Sequence, residues 1–175
     1  MADCSIDLRT HVRDIPDWPK PGILFRDITP LLGDAAAFRA AIEALTAHYS
    51  GAGVQYVAAV EARGFIFGSA VAEKLRAGFI PIRKKGKLPY KTVRMTYDLE
   101  YGVDTLEAHA DALRPGDRVL MVDDLLATGG TMAAACRLVE NLGGKVVGIS
   151  FLIELTALNG RSKLAGYDIS RVIAY

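Results

Sequence analysis

Only two cysteines, Cys4 and Cys136, occur in 175 residues. That is too few for a disulfide framework or a thiolate metal site, and it points to a reducing compartment. An excess of one charge is missing as well. Lys and Arg total 21 against 20 Asp and Glu, a net charge of +1. Whole-molecule attraction to nucleic acid is therefore not expected, and any bound anion must be held by a local cluster. No apolar run approaches the roughly 20 residues of a membrane span. The N-terminus lacks the basic, apolar, small-residue order of a signal peptide. The expectation is a cytoplasmic protein with neither a membrane nor a nucleic-acid partner. His11, His48 and His109 are scattered and form no metal-ligand spacing. Internal repeats, low-complexity tracts and linkers are also missing. The composition, 51% hydrophobic and 23% charged, is that of a compact fold. The length suits one domain spanning 1–175.

The most informative stretch is Val119-Leu120-Met121-Val122-Asp123-Asp124-Leu125-Leu126-Ala127-Thr128-Gly129-Gly130-Thr131. Its apolar start reads as a buried strand. The Ala-rich segment after it, containing the core candidate Cys136, reads as a helix closed by Gly143-Gly144. The Gly/Thr turn thus sits between a strand end and a helix N-terminus, where unpaired amides and the helix dipole can hold a phosphate. Gly129 and Gly130 permit close backbone approach, and Thr128 and Thr131 add hydroxyls. Asp123 and Asp124 are suited to vicinal hydroxyls, or to water on Mg2+. The loop has no lysine, which excludes the Walker pattern. A ribose 5-phosphate fits. On the bare pattern, a phospho-acceptor receiver or a Mg2+-dependent phosphatase fits equally well.

Along the chain, Asp3 to Arg13 reads as a short helix with Ile6 and Val12 inward. The proline-rich run Ile15 to Gly22 cannot continue it. Asp34 suits the N-cap of a helix bearing Phe38, Ile42, Leu45 and Tyr49, which Gly51 and Gly53 stop. Val54–Val60 reads as a strand and Gly64–Arg76 as a largely buried helix. Phe79–Ile82 is a short strand in which Pro81 implies an edge or strand end. Between Lys84 and Leu113 the periodicity weakens. Thr92–Asp98 and Asp104–His109 suit either an antiparallel hairpin or a mobile loop. Lys145–Ile153 and Ile169–Ala174 read as strands, and Leu158–Ala165 as a short helix. Strands alternating with helices imply a parallel sheet. The turns Glu61–Arg63, Arg83–Lys87 and Asp123–Thr131 should then share one edge, at the carboxyl ends of the strands.

These residues resemble the phosphoribosyl-pyrophosphate (PRPP) signature of the type I phosphoribosyltransferases, in the wording of the adenine phosphoribosyltransferase family. Four further blocks carry the resemblance in family order: Gly22–Pro30, Glu61–Gly68, Ile82–Pro89 and Tyr97–Gly102. The resemblance implies the α/β core of that family, a parallel sheet flanked by helices. A small N-terminal hood over 1–33 would recognise the base, and a flexible catalytic loop would span 90–109. It further implies transfer of the phosphoribosyl group of PRPP to adenine, giving AMP and pyrophosphate in purine salvage, with Mg2+ as cofactor. Rivals are a nucleotide-sensing regulator of the same fold, and an enzyme of this class acting on another purine.

Residue by residue, the resemblance places Asp123 and Asp124 at the ribose hydroxyls and Ala127, Thr128, Gly129, Gly130 and Thr131 around the 5′-phosphate. Mg2+ would be held by PRPP, with the aspartates acting through water. Arg63 and Gly64 would bind pyrophosphate, in a turn that often contains a non-proline cis peptide in the family. An arginine at a helix start is electrostatically mismatched, which itself asks for an anion. Lys84 and Lys87, in a cluster with Lys85, would approach pyrophosphate in their own subunit. Arg83 would reach the neighbouring site of a homodimer. Leu24 and Arg26 would offer backbone groups to adenine beside Phe25, with Leu125 packing on the ring. Glu100 would be the catalytic residue, handling a proton of the base. Without the resemblance, Glu100 reads as an exposed loop residue and Phe25 as core. Tyr90 departs from many relatives and bears on loop closure.

Overall fold

The protein is described by a computed structural model covering residues 6–98 and 102–175. It divides into two units, one ending at Ala44 and the other spanning Leu45–Tyr175.

In the first unit the expected N-terminal helix shrinks to one 3-10 turn, Leu8–His11, with the Asp7 side chain accepting the Arg9 amide at 3.0 Å. Val12 is buried as expected, but Ile6 is 37% exposed and Leu8 takes the inward position. Arg13 already belongs to strand β1, Arg13–Pro16, which pairs antiparallel with β2, Leu24–Asp27. Arg13 is drawn out of the helix by its place opposite Asp27, whose carboxylate accepts its Nη2 at 2.6 Å. The Thr29 hydroxyl and amide, together with Arg13, hold Asp27 down at about 2. Pro30 opens α1, Thr29–Gly33, a short helix that periodicity alone does not signal. Asp34 then caps α2, Ala35–Ala47, accepting the amides of Ala36 and Ala37 at 2.9 Å each.

The second unit carries a seven-stranded sheet. Its strands are β3 (Tyr56–Val60), β4 (Gly78–Lys84), β5 (Thr92–Asp98), β6 (Val103–His109), β7 (Arg118–Leu126), β8 (Lys145–Glu154) and β9 (Ile169–Ala174). The order is β5-β6-β4-β3-β7-β8-β9, with β4, β3, β7, β8 and β9 mutually parallel. Val119–Val122 and Phe151–Ile153 have no exposed surface, the continuous apolar run of strands covered on both faces. Helices α3 (Arg63–Leu75) and α4 (Gly130–Asn141) flank the sheet. Only one face of α3 is buried, through Gly64, Phe67, Gly68, Val71 and Ala72, whereas Ile66 is 38% exposed.

Of the two readings left open for the irregular region, the hairpin is the one adopted. β5 and β6 pair antiparallel from Thr92↔His109 to Asp98↔Val103. β6 meets β4 only at Arg83 and Lys84. Pro81 therefore lies on a locally unpaired edge, as its missing N–H requires. The expected short helix after β8 is two 3-10 turns, Thr156–Leu158 and Gly160–Leu164. Among the described residues no helix is long and apolar enough to cross a membrane.

One glycine decides a packing contact. The Tyr49 hydroxyl donates to the Ile149 carbonyl at 3.0 Å, and its ring fills the space a Gly148 Cβ would occupy, 2.2 Å from Cε1. Gly148→Ala should displace the ring and cost about 1–3 kcal/mol. Thermal denaturation checks this, and an unchanged midpoint would show that the ring has room to move.

Candidate active site

Because β4, β3 and β7 are adjacent and parallel, the turns that follow them lie on one sheet edge, as the alternating pattern implied. There a cavity of about 270 Å³ is lined by Val60–Gly64, Asp123–Met132 and Phe151. Two helices begin at this cavity, α3 at Arg63 and α4 at Gly130, and neither has a side-chain cap. Uncapped first turns present amides and positive dipole ends to a ligand. Gly129 stands before α4 at φ 79, in the left-handed region. A Cβ there would also lie 2.3 Å from the Gly160 carbonyl oxygen, so glycine is required twice over.

The two aspartates differ in partner. Asp123 accepts the Asp124 amide at 2.9 Å and occupies the space left by Gly64, where a Cβ would lie 2.7 Å from its Oδ1. Asp124 is buried, and its Oδ2 stands 2.8 Å from Arg63 Nε. Burial, and then the neighbouring Asp124 charge, push Asp123 well above the usual carboxylate range. Burial also raises Asp124, although the Arg63 guanidinium pulls the other way. The mismatch inferred for Arg63 at a helix start is thus met from within the protein, by Asp124. The Glu61–Ala62 peptide in this turn is cis.

The basic turn after β4 is shaped by two carboxylates, Glu61 and Glu107, to which the sequence pattern gives no role. Glu61 accepts the Lys84 amide at 2.6 Å and the Lys87 ammonium at 2.7 Å, with Arg83 Nη2 at 3.6 Å. Burial works to raise Glu61, but Lys87 and the Lys84 amide outweigh it and hold the carboxyl below its ordinary value. Buried Glu107 accepts the Gly86 amide at 3.0 Å and stands 2.7 Å from Arg94. Lys84 Nζ lies 3.2 Å from Asp104, whose hydrogen bond and charge raise the lysine. Arg83 folds onto its own turn, donating to the Lys87 carbonyl at 3.1 Å. Strand β5 meets the start of α4, with Tyr97 Oη 3.3 Å from Thr131 Oγ1.

The structure therefore brings together Arg63, Gly64, Asp123, Asp124 and Leu125 to Thr131 around one cavity, with Arg83, Lys84 and Lys87 tied to its wall through Glu61. Leu24, Phe25 and Arg26 lie on β2 in the first unit. There Leu24 is 44% exposed, Phe25 meets Trp18 edge to face at 4.4 Å, and Arg26 pairs with Asp14. Glu100 lies outside the described residues. His48 is matched with Asp168 at 2.8 Å, away from the cavity lining.

Two uncapped helix starts, an adjacent acid pair and a basic turn meet on the carboxyl edge of a parallel sheet, an arrangement suited to a phosphorylated ligand. The family model of the phosphoribosyl transferase domain matches residues 32–169. An adenine phosphoribosyltransferase of Symbiobacterium thermophilum is 55% identical over 97% of this chain and 100% of its own. The crystal structure of adenine phosphoribosyltransferase from Thermoanaerobacter pseudethanolicus superposes with a TM-score of 0.93 at 54% identity, covering 96% of this chain and 98% of that one. The Saccharomyces cerevisiae enzyme, solved with an imino-altritol bisphosphate and adenine, gives 0.91 at 37% identity over 98% and 99%. The chain belongs to the adenine phosphoribosyltransferase family.

Proposed function

We propose that the chain transfers the 5-phosphoribosyl group of PRPP to adenine, releasing pyrophosphate and forming AMP, as a pentosyltransferase of purine salvage. The observation that carries this reading is the meeting of the uncapped Gly129–Gly130 helix start, the Asp123–Asp124 pair and the Arg63 turn in one cavity, with the lysine turn at its wall. A donor with phosphate at one end, hydroxyls in the middle and pyrophosphate at the other matches those groups in order.

In the reaction the bond from ribose C1 to the pyrophosphate oxygen breaks as a bond to an adenine ring nitrogen forms, through an oxocarbenium-like state. Amides at Ala127–Thr131 hold the 5′-phosphate, and Asp123 and Asp124 accept the ribose hydroxyls. Arg63, Lys84 and Lys87 stabilise the departing pyrophosphate. Anchoring both ends converts binding into positioning. Glu100 takes the proton that adenine loses. Leu24 and Arg26, on β2, would offer backbone groups to the pairing edge of adenine, beside Phe25, and Leu125 would pack on the ring. In a homodimer, Arg83 would serve the neighbouring site.

Mg2+ fits as a companion of PRPP. Among the described residues no three His, Cys, Asp or Glu side chains converge to cage a metal. Asp123 and Asp124 line the cavity side by side, which suits one or two carboxylates acting through water while phosphates supply the other ligands. Held there with PRPP by Asp123 and Asp124 through water, Mg2+ would supply charge neutralisation to the pyrophosphate. A phosphatase reading would instead make Asp123 a nucleophile toward a phosphate ester.

Mixing the protein with adenine, PRPP and Mg2+ should yield AMP and pyrophosphate in equal amounts. Absence of AMP would sink the proposal, and phosphate release from simple esters would restore the phosphatase.

A further inference from the structure

Residues 155–164 take part in none of the steps above, yet they are in contact with the phosphate loop. A Cβ at Gly129 would lie 2.3 Å from the Gly160 carbonyl oxygen, and one at Gly160 would lie 2.2 Å from the Ala127 carbonyl oxygen. Two stretches of backbone approach closely, with the Leu126 side chain also against Gly160, where a Cβ would lie 2.9 Å from its Cδ1, and Gly160 is buried. Beside this contact the Leu155 amide donates to the carbonyl of Leu126, the last residue of β7, at 2.9 Å.

The residue after Gly160 is held from behind. Arg161 grips buried Glu154 with two parallel bonds, Nε to Oε1 at 2.8 Å and Nη2 to Oε2 at 3.0 Å. Arg171 Nη1 adds a contact to the same carboxylate at 3.2 Å, and Arg161 Nη1 reaches the Ile169 carbonyl at 3.3 Å. This fork fixes direction as well as distance. Glu154 ends β8 and Ile169 begins β9, so the brace is anchored in the sheet.

A loop that binds phosphate through several amides works best when those amides are aimed before the ligand arrives. Ala127-Thr128-Gly129-Gly130 has little side-chain bulk with which to hold its own shape, and glycine is costly to order. We infer that Gly160, fixed by the Arg161–Glu154 fork, is a positioning residue that sets the pitch of the 5′-phosphate loop. This rests on the reading of that loop given above. Pyrophosphate, bound at the Arg63 and lysine turns, should not feel it.

That asymmetry supplies the test. Calorimetry would compare AMP, adenosine and Mg2+-pyrophosphate on the full chain and on Gly160→Ala. AMP should weaken by about 10- to 100-fold, the loss of one hydrogen bond to a charged group. Pyrophosphate and adenosine should bind unchanged, and KM for PRPP should rise while KM for adenine does not. Arg161→Lys keeps the charge but loses the fork, and should show a smaller loss of the same kind. It carries the measurement alone if Gly160→Ala does not fold. Unchanged AMP affinity, or equal losses of AMP and pyrophosphate, would overturn the inference. If the parent protein bound AMP no better than adenosine, the reading of the loop would fall first.

Discussion

Asp123→Asn should make the ligand-free protein more stable and the enzyme worse. Burial pushes Asp123 well above the usual carboxylate range, with Asp124 adding to the rise. A group whose folded-state pKa is raised favours folding when protonated. Its stabilising contribution is full below the unfolded value near 3.8 and is lost as pH rises through the folded value. At neutral pH, above the unfolded value, the raised pKa costs stability, and asparagine, which does not titrate, removes that cost. Asparagine can still accept the Asp124 amide, so the local backbone keeps its 2.9 Å bond. A gain of about 1 kcal/mol would raise the melting midpoint by about 2–4 °C in a chain of this size. The gain should shrink toward zero as the pH is lowered to the unfolded value. The same substitution removes a charged acceptor for a ribose hydroxyl. kcat/KM for PRPP should fall by about 10- to 100-fold. In the parent protein the acid limb of kcat/KM should lie above the ordinary carboxylate range and belong to the aspartate pair jointly. A variant that is less stable at neutral pH, or as active as the parent, would contradict the assignment.

Glu100→Gln carries the largest expected loss of rate. Its role comes from the Leu99-Glu100-Tyr101-Gly102 wording alone, between the strands β5 and β6 that the structure describes. A glutamate that accepts the proton of adenine acts in the transition state and contributes little to ground-state binding. kcat should therefore drop by about 100- to 10,000-fold, the range of general acid–base catalysis, with dissociation constants for adenine and PRPP nearly unchanged. Single-turnover quench measurements separate the chemical step from product release. An unchanged chemical step would move proton handling to another group. A rise in KM with unchanged kcat would make Glu100 a binding residue only.

What the sequence made readable was local. An apolar run, two acids and two glycines lie within Val119–Thr131, and their order along the chain is their order in space: strand, turn, helix. The Asp34 cap and the β9 boundaries were legible for the same reason. The residues that shape the site from a distance were not. Glu61 meets Lys87, and Glu107 meets Gly86, across more than twenty positions, and only sheet pairing brings them together. Gly160 gives no signal at all, since its importance lies in what another backbone needs beside it. Arg63 was readable as a misplaced charge, but not as the partner of Asp124, because that pairing depends on β3 and β7 being neighbours. The N-terminal turn was misjudged because the 3-10 start and the strand at Arg13 are set by Asp7 and Asp27 rather than by periodicity.

The proposed reaction joins the donor half of the site to recognition of adenine. One competition measures it directly: adenine, hypoxanthine and guanine at equal concentration in one vessel with PRPP and Mg2+, the nucleotides then separated and counted. If backbone groups of Leu24 and Arg26 read the pairing edge of adenine, hypoxanthine would leave a carbonyl facing an acceptor, a mismatch that can reject by about 10,000-fold or more. AMP should be the product, with IMP and GMP at trace level. A product mixture dominated by IMP or GMP, or ribose phosphate released without any nucleotide, would contradict the account.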